Sequence, residues 1–271
     1  MSQGIKRAFL DTEDGQILYY LGGEGKPLLL LHMTPRSSDE FRELMPILAS
    51  DRLVIAMDLL GLGDSDKPPR TYSVADYGKT VIALLDELDI EKASILGSLT
   101  GGYIAGEVAA AYPARVEKLI LCNVCEFDEQ ERDKLLKIHS QGGQVKEDGS
   151  HLMERWSSRV HYIGEKELNH RCVLDDLKAF NSPVYPGIAA ANYVLCAKER
   201  FRLIQCPTLI LSGGKVLELL AEFGLAKANN QLWFSEVISV NQSVELEGGN
   251  LWMINQLSQA VSKAVIDFLE E

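Results

Sequence analysis

Histidine is absent beyond position 170 of this 271-residue chain, whose five histidines are His32, His139, His151, His161 and His170. Chemistry that needs an imidazole base in the C-terminal third is therefore excluded. Positive charge is scarce as well: 27 Lys and Arg against 39 Asp and Glu give a net charge of −12. A phosphate backbone or an anionic bilayer calls for a basic surface, so neither nucleic acid nor membrane is an expected partner. No apolar run approaches the roughly 20 residues of a membrane helix. The opening MSQGIKRAFLDTEDGQ lacks the apolar core of a signal peptide, so a cytoplasmic protein is expected. Cysteine gives no disulfide framework: Cys122, Cys125, Cys172, Cys196 and Cys206 are odd in number and irregular in spacing. Cys122 and Cys125 form a CxxC without a second CxxC or a suitably spaced histidine. They read as strand-end thiols, and neither a metal nor another cofactor is expected.

What is present is ordinary for a globular domain, with 46% hydrophobic and 24% charged residues. The length allows one large core with a small insertion. Residues 5–10 and 16–21 read as strands joined at Glu13-Asp14-Gly15. The continuous apolar run Leu28–Leu31 fits a strand buried on both faces of a parallel sheet. A helical pattern runs from Asp39 to about Ala49, followed by a strand at Leu53–Met57. Ser73-Val74-Ala75-Asp76 has the form of a helix start, continued by Val81, Leu84, Leu85 and Leu88. Strands follow at Ala93–Leu96 and Val116–Leu121, separated by a small-residue helix over Tyr103–Tyr112. Such alternation predicts an α/β fold with a doubly wound, mostly parallel sheet.

Between about Glu126 and Gln205 the strand runs disappear. Helical stretches broken at Gln141-Gly142-Gly143, Ser182-Pro183 and Tyr185-Pro186 replace them, as in an inserted helical cap. Alternation resumes with strands at Thr208–Leu211 and Ser243–Leu246 and a last helix through Leu269. The expected organisation is a core of residues 1–125 and 206–271 with a cap of residues 126–205.

Three local motifs narrow the fold. Leu31-His32-Met33-Thr34-Pro35 follows one buried strand and Asp58-Leu59-Leu60-Gly61-Leu62-Gly63-Asp64-Ser65-Asp66-Lys67-Pro68 the next. Ile95-Leu96-Gly97-Ser98-Leu99-Thr100-Gly101-Gly102 joins a strand to a helix. In these segments the chain resembles the α/β-hydrolase superfamily, in particular its epoxide-hydrolase and haloalkane-dehalogenase branch. The resemblance implies a strand-to-helix elbow reading Gly-x-nucleophile-x-Gly. Matching Gly97 and Gly101 places Leu99 at the nucleophile. Leucine has neither lone pair nor acidic proton and cannot attack a carbonyl, an epoxide or a carbon–halogen bond. The acid position after the Thr208–Lys215 segment falls on Val216, and the histidine position after Gly248-Gly249 falls on Asn250. The resemblance therefore implies a pseudohydrolase with its triad replaced.

The oxyanion-hole region holds Met33 where the family usually has glycine, although its N–H and that of Thr100 remain candidate donors. Leu99, Met33 and Val216 together predict a pocket that is apolar at its former chemical centre. Its expected lining is His32, Met33, Thr34, Ser98, Leu99, Thr100, Asn123, Trp156 and Asn250. Of these, His32 reads as structural, and Asn123 and Asn250 cannot ionise and only orient or bind. Trp156 is either pocket wall or cap packing. Three separated replacements with the turn glycines kept suggest that the fold and its elbow matter while the nucleophile does not. A non-hydrolytic enzyme performing cyclisation, rearrangement, dehydration or decarboxylation on an apolar small molecule is one reading. A small-molecule-binding or regulatory pseudoenzyme is the other, and a homodimer stays open.

Overall fold

The computed structural model describes residues 4–140, 143–180, 185–225 and 234–271. The hairpin of β1 (Lys6–Thr12) and β2 (Gly15–Gly22) turns at Gly15, whose φ of 129° suits glycine. Then come β3 (Pro27–Leu31), β4 (Leu53–Met57), β5 (Ala93–Ser98), β6 (Val116–Cys122), β7 (Thr208–Gly213) and β8 (Asn241–Leu246). The eight strands form one sheet of order β1-β2-β4-β3-β5-β6-β7-β8, parallel from β4 to β8. Only the β1–β2 and β2–β4 pairings are antiparallel.

The helices are α1 (Leu44–Leu48), α2 (Val74–Glu87) and α3 (Thr100–Ala111), then α4 (Glu129–Ser140), α5 (Ser150–Ser157), α6 (Val160–Ile163), α7 (Lys166–Lys178), α8 (Pro186–Tyr193) and α9 (Ala197–Phe201). After β7 come α10 (Val216–Glu222), α11 (Met253–Gln256) and α12 (Ser258–Glu270). Among the described residues no strand interrupts α4 to α9, so these helices form the cap inserted between β6 and β7. The breaks expected at Gln141-Gly142 and Ser182-Pro183 lie outside the described residues.

The apolar run of β3 explains the two layers. Leu28 and Leu30 point into a core shared with Leu44 and Leu48 of α1 and with Val261, Val265 and Phe268 of α12. Leu29 and Leu31 point the other way, into a core with Leu84 and Leu85 of α2 and Ile104 and Val108 of α3. Alternate residues of one strand thus bury on opposite faces, each leucine contributing roughly 1.5–3 kcal/mol. The helix start at Ser73 is a full capping box, with Ser73 Oγ accepting from Asp76 N and the Asp76 carboxylate accepting from Ser73 N.

The continuous helix expected over residues 39–49 is replaced by a 3₁₀ turn, Ser38–Phe41, followed by α1. The cause is Pro46, which has no N–H to donate to the Arg42 carbonyl. Asp39 and Glu43, on either side of this break, both meet the cap. Arg171 of α7 donates to Asp39 at 2.8 Å and to Glu43 at 2.6 Å. No helix among the described residues is long and apolar enough to cross a membrane.

Candidate functional site

The sharpest backbone feature is the turn from β5 into α3. Leu99 sits there at φ 44° and ψ −106°, in a region that L-residues rarely adopt. Its N–H donates to Cys122 O of β6, while its carbonyl accepts from Gly102 N and Tyr103 N. The glycines make the turn sterically feasible. A Cβ on Gly97 would lie 2.3 Å from Gly101 O, and one on Gly101 would lie 2.1 Å from Leu31 O. Both obstacles are backbone atoms, so neither side chain could be accommodated by a rotamer change.

Above this elbow lies a cavity of about 400 Å³ between sheet and cap. Leu99, Thr100 and Thr34 line it from the core, together with Leu220, Leu251 and Trp252. The cap contributes Arg155, Arg159, Tyr162, Asp176, Phe180 and Tyr185 among others. Thr34, Leu99 and Thr100 are thus brought together as expected.

The other expected lining residues are not on the wall. Met33 and Val216 are almost fully buried in the core packed against the sheet, so they do not converge with Leu99 on the cavity. Leu220, one turn beyond Val216 on α10, takes the wall position instead. The Met33 N–H is not a free oxyanion donor, because it donates to Glu40 Oε2 at 2.7 Å. Ser98 donates to the other oxygen of Glu40 at 2.7 Å and is fully buried. Burial pushes the Glu40 carboxyl up to about 7, against the pull of Arg36 and its two donors.

His32 is locked in the core. Its Nε2 accepts from Leu59 N at 3.0 Å, which assigns the ring proton to Nδ1, donating to Met33 O at 2.9 Å. Burial lowers its pKa, holding it neutral. Asn123 is held at φ 55°, a conformation asparagine tolerates, and its amide joins two loops: Oδ1 accepts from Gly213 N and Nδ2 donates to Asn250 O. The Asn250 side chain accepts from Trp252 N at 2.8 Å and donates to Tyr162 O at 3.0 Å. Trp156 is not among the lining residues; its carbonyl accepts from Asn169 Nδ2 of α7. Cys122 and Cys125 are buried free thiols, and burial pushes Cys125 up to about 12.

Several groups on the cavity wall escaped the sequence reading. Asp176 lies between Arg159 at 2.5 Å and Arg155 at 3.1 Å. Its pKa is raised by burial, which outweighs the pull of both guanidiniums. His139 of α4 packs against Tyr185 with ring centroids 5.5 Å apart, and a Cβ on Gly187 would lie 2.5 Å from its Nδ1. His139 lines the cavity, and burial lowers its pKa. Tyr162 stacks at 4.8 Å on Trp252. The only sequence signal for this set was the cluster of charge and aromatics in the cap, where such residues ordinarily cover a solvated face.

Comparison with known proteins decides the family. The model of the alpha/beta hydrolase fold family matches residues 26–164. This chain belongs to that family. It is 37% identical over 106 residues to a soluble epoxide hydrolase of a Corynebacterium strain, covering 39% of this chain and 37% of that protein. It is 31% identical over 160 residues to a haloalkane dehalogenase of Sphingobium indicum, covering 53% of this chain and 54% of the dehalogenase. The solved structure of epoxide hydrolase A from Mycobacterium thermoresistibile superposes with a TM-score of 0.79 over 98% of both chains at 19% identity, a likeness of fold alone. Several curated relatives are matched over only 28% to 37% of their own length.

Proposed function

We propose that this α/β-hydrolase-fold protein encloses an apolar small molecule in the former active-site pocket and does not hydrolyse through a catalytic triad. The observation that carries this reading is Leu99, which holds the elbow conformation and lines the cavity with a side chain that has no nucleophilic atom. Val216, at the position expected for the acid, is buried and apolar. Asn250, at the position expected for histidine, spends both ends of its amide on backbone groups. On this reading residues 126–205 act as the lid domain over a core of residues 1–125 and 206–271.

Retention of the ligand is favoured over its conversion by the bonds of the core polar groups. His32, Ser98, Asn123 and Asn250 are the groups a cyclisation, rearrangement, dehydration or decarboxylation was expected to use. Each is engaged in a buried or backbone hydrogen bond, and none of the four is among the residues that line the cavity. A reaction in this pocket would draw on Thr34, Thr100, Tyr162, His139 and the Arg159–Asp176 pair, which line it.

Two measurements test the proposal. Activated aryl esters incubated with the purified chain are expected to give neither burst nor turnover, and a fluorophosphonate probe is expected to leave it unlabelled. Turnover or labelling overturns the non-hydrolytic reading. Mass spectrometry of a metabolite extract incubated with native or heat-killed protein separates the two versions. A compound held back by native protein alone supports retention, and a mass or isomer that grows as another declines supports conversion.

A further inference from the structure

We infer that the cavity takes an uncharged, ring-bearing molecule with a hydroxyl group, and that His139 and Tyr185 of the cap hold that hydroxyl. The inference rests on the reading of this cavity as a small-molecule site and names the ligand class. His139 of α4 and Tyr185, the residue before α8, both line the cavity with their rings 5.5 Å apart. Neither the imidazole nor the phenol has a hydrogen-bond partner among the described residues. Their polar atoms also differ from Thr34 Oγ1 and Arg159 Nη1, which are unpartnered but sealed from any approach. The place of the imidazole is built into the fold. At Gly187 of α8 a Cβ would stand 2.5 Å from Nδ1 and 2.7 Å from Cε1, so any larger residue would push the ring away.

The charged groups of the wall are occupied with one another. Asp176 lies between Arg159 at 2.5 Å and Arg155 at 3.1 Å, and the Tyr162 hydroxyl bonds Arg159. Arg155 also lies over the Phe180 ring, 5.4 Å from its centroid. Burial lowers the His139 pKa to about 4 and raises that of Tyr185, so both are neutral near neutral pH. A charge on the ligand would leave water and meet no uncommitted opposite charge on the described wall. A neutral imidazole has one donor and one acceptor nitrogen, and the tyrosine hydroxyl can do either. A ligand hydroxyl matches this set, giving its proton to the bare imidazole nitrogen and accepting one from the phenol. A carboxylate has no proton for that nitrogen, and an ammonium has no lone pair for the tyrosine proton. Leu99, Phe127 and Phe180 belong to the apolar remainder of the wall, against which a ring packs well.

The test uses the full-length chain with three probes of one ring system, naphthol, naphthalene and naphthoate, in fluorescence titrations at neutral pH. Naphthol is expected to bind about fivefold or more tightly than naphthalene, the gain of neutral hydrogen bonds. Naphthoate is expected to bind at least about tenfold more weakly than naphthol, the cost of an enclosed charge. In His139→Leu the preference for naphthol over naphthalene is expected to fall below about twofold, while naphthalene binding changes less than about twofold. Tyr185→Phe, which removes a single oxygen, is expected to cut the preference by about half and leave naphthalene unchanged. Retained naphthalene binding shows that the variants still fold around the cavity. If His139→Leu does not fold, Tyr185→Phe decides. A preference for naphthol that is undiminished in the folded variants overturns the inference. Equal binding of naphthol and naphthalene to the native chain, or tighter binding of naphthoate, also overturns it while leaving the small-molecule pocket in place. Binding of none of the three removes the pocket reading as well.

Discussion

The guanidinium of Arg36, fully buried in the loop after β3, donates to the carboxylate of Asp175 in cap helix α7 across 2.9 Å. The same guanidinium reaches Asp39 at 2.8 Å and Asn255 at 3.0 Å, so one core side chain fastens three separate segments. Replacing it leaves the Asp175 carboxylate buried without its partner, a loss of about 3–5 kcal/mol. Arg36→Met is expected to lower the free energy of unfolding by that amount in a denaturant titration. Hydrogen exchange across α7 is expected to quicken first, because α7 loses one of its ties to the core and keeps those of Arg171 to Asp39 and Glu43.

Serine at the elbow is expected to do nothing chemically. Leu99→Ser places a hydroxyl at the strained turn, but on the proposed reading the positions expected for acid and base hold Val216 and Asn250. Without a base the hydroxyl keeps its high pKa and remains inert. Turnover of activated aryl esters by Leu99→Ser is expected to match buffer alone; a clear rate above buffer would show that some other group reaches the elbow as a base.

A methyl group at Gly101 is expected to damage the fold far more than its size suggests. Its Cβ would stand 2.1 Å from Leu31 O and 2.8 Å from His32 O, both on neighbouring backbone. Gly101→Ala is expected to cost about 2–3 kcal/mol or more in thermal or denaturant unfolding, the scale of forced overpacking. Gly149→Ala is the contrast: no atom lies within 4 Å of its Cβ position, so only its φ of 72° resists the change.

Glu40 makes a pH-dependent contribution whose sign can be stated. Its carboxyl is raised from 4.5 to about 7, so between these values the folded chain holds a proton that the unfolded chain has released. Stability from this group therefore falls as pH rises through that window and levels off above it. The span corresponds to about 3 kcal/mol. Glu40→Gln, which still accepts from Met33 N and can donate to Ser98, is expected to remove this decline. The check is the difference in unfolding free energy between native chain and variant, measured from about pH 5 to about pH 8.

Much of the framework was legible because it is written in short periods. Leu28–Leu31 announced a strand buried on both faces, and Gly97 and Gly101 located the turn at which Leu99 is found with positive φ. The direction of side chains at strand ends was not legible. Met33 and Val216 follow the ends of β3 and β7 as Leu99 follows β5, yet both are buried in the core and leave the wall to Leu220 and Leu251. The Arg159–Asp176 pair was hidden for a different reason. It joins the residue that caps α6 to α7, and charges on cap helices read as solvated until the helices are packed face to face. The helix expected through residues 39–49 failed on one missing donor at Pro46.

Asn250 carries a consequence for how the cap seam behaves in different surroundings. Its amide bonds the carbonyl of Tyr162 in the cap, and Gln256 reinforces the seam by donating to Tyr162 O and Ile163 O. Neither amide gains or loses a proton across the physiological range. An imidazole in the place of Asn250 would change charge near neutrality and would tie closure to acidity. The hydrogen bonds that these two amides make between core and cap therefore keep the same charge state in an acidifying cell as in a neutral one.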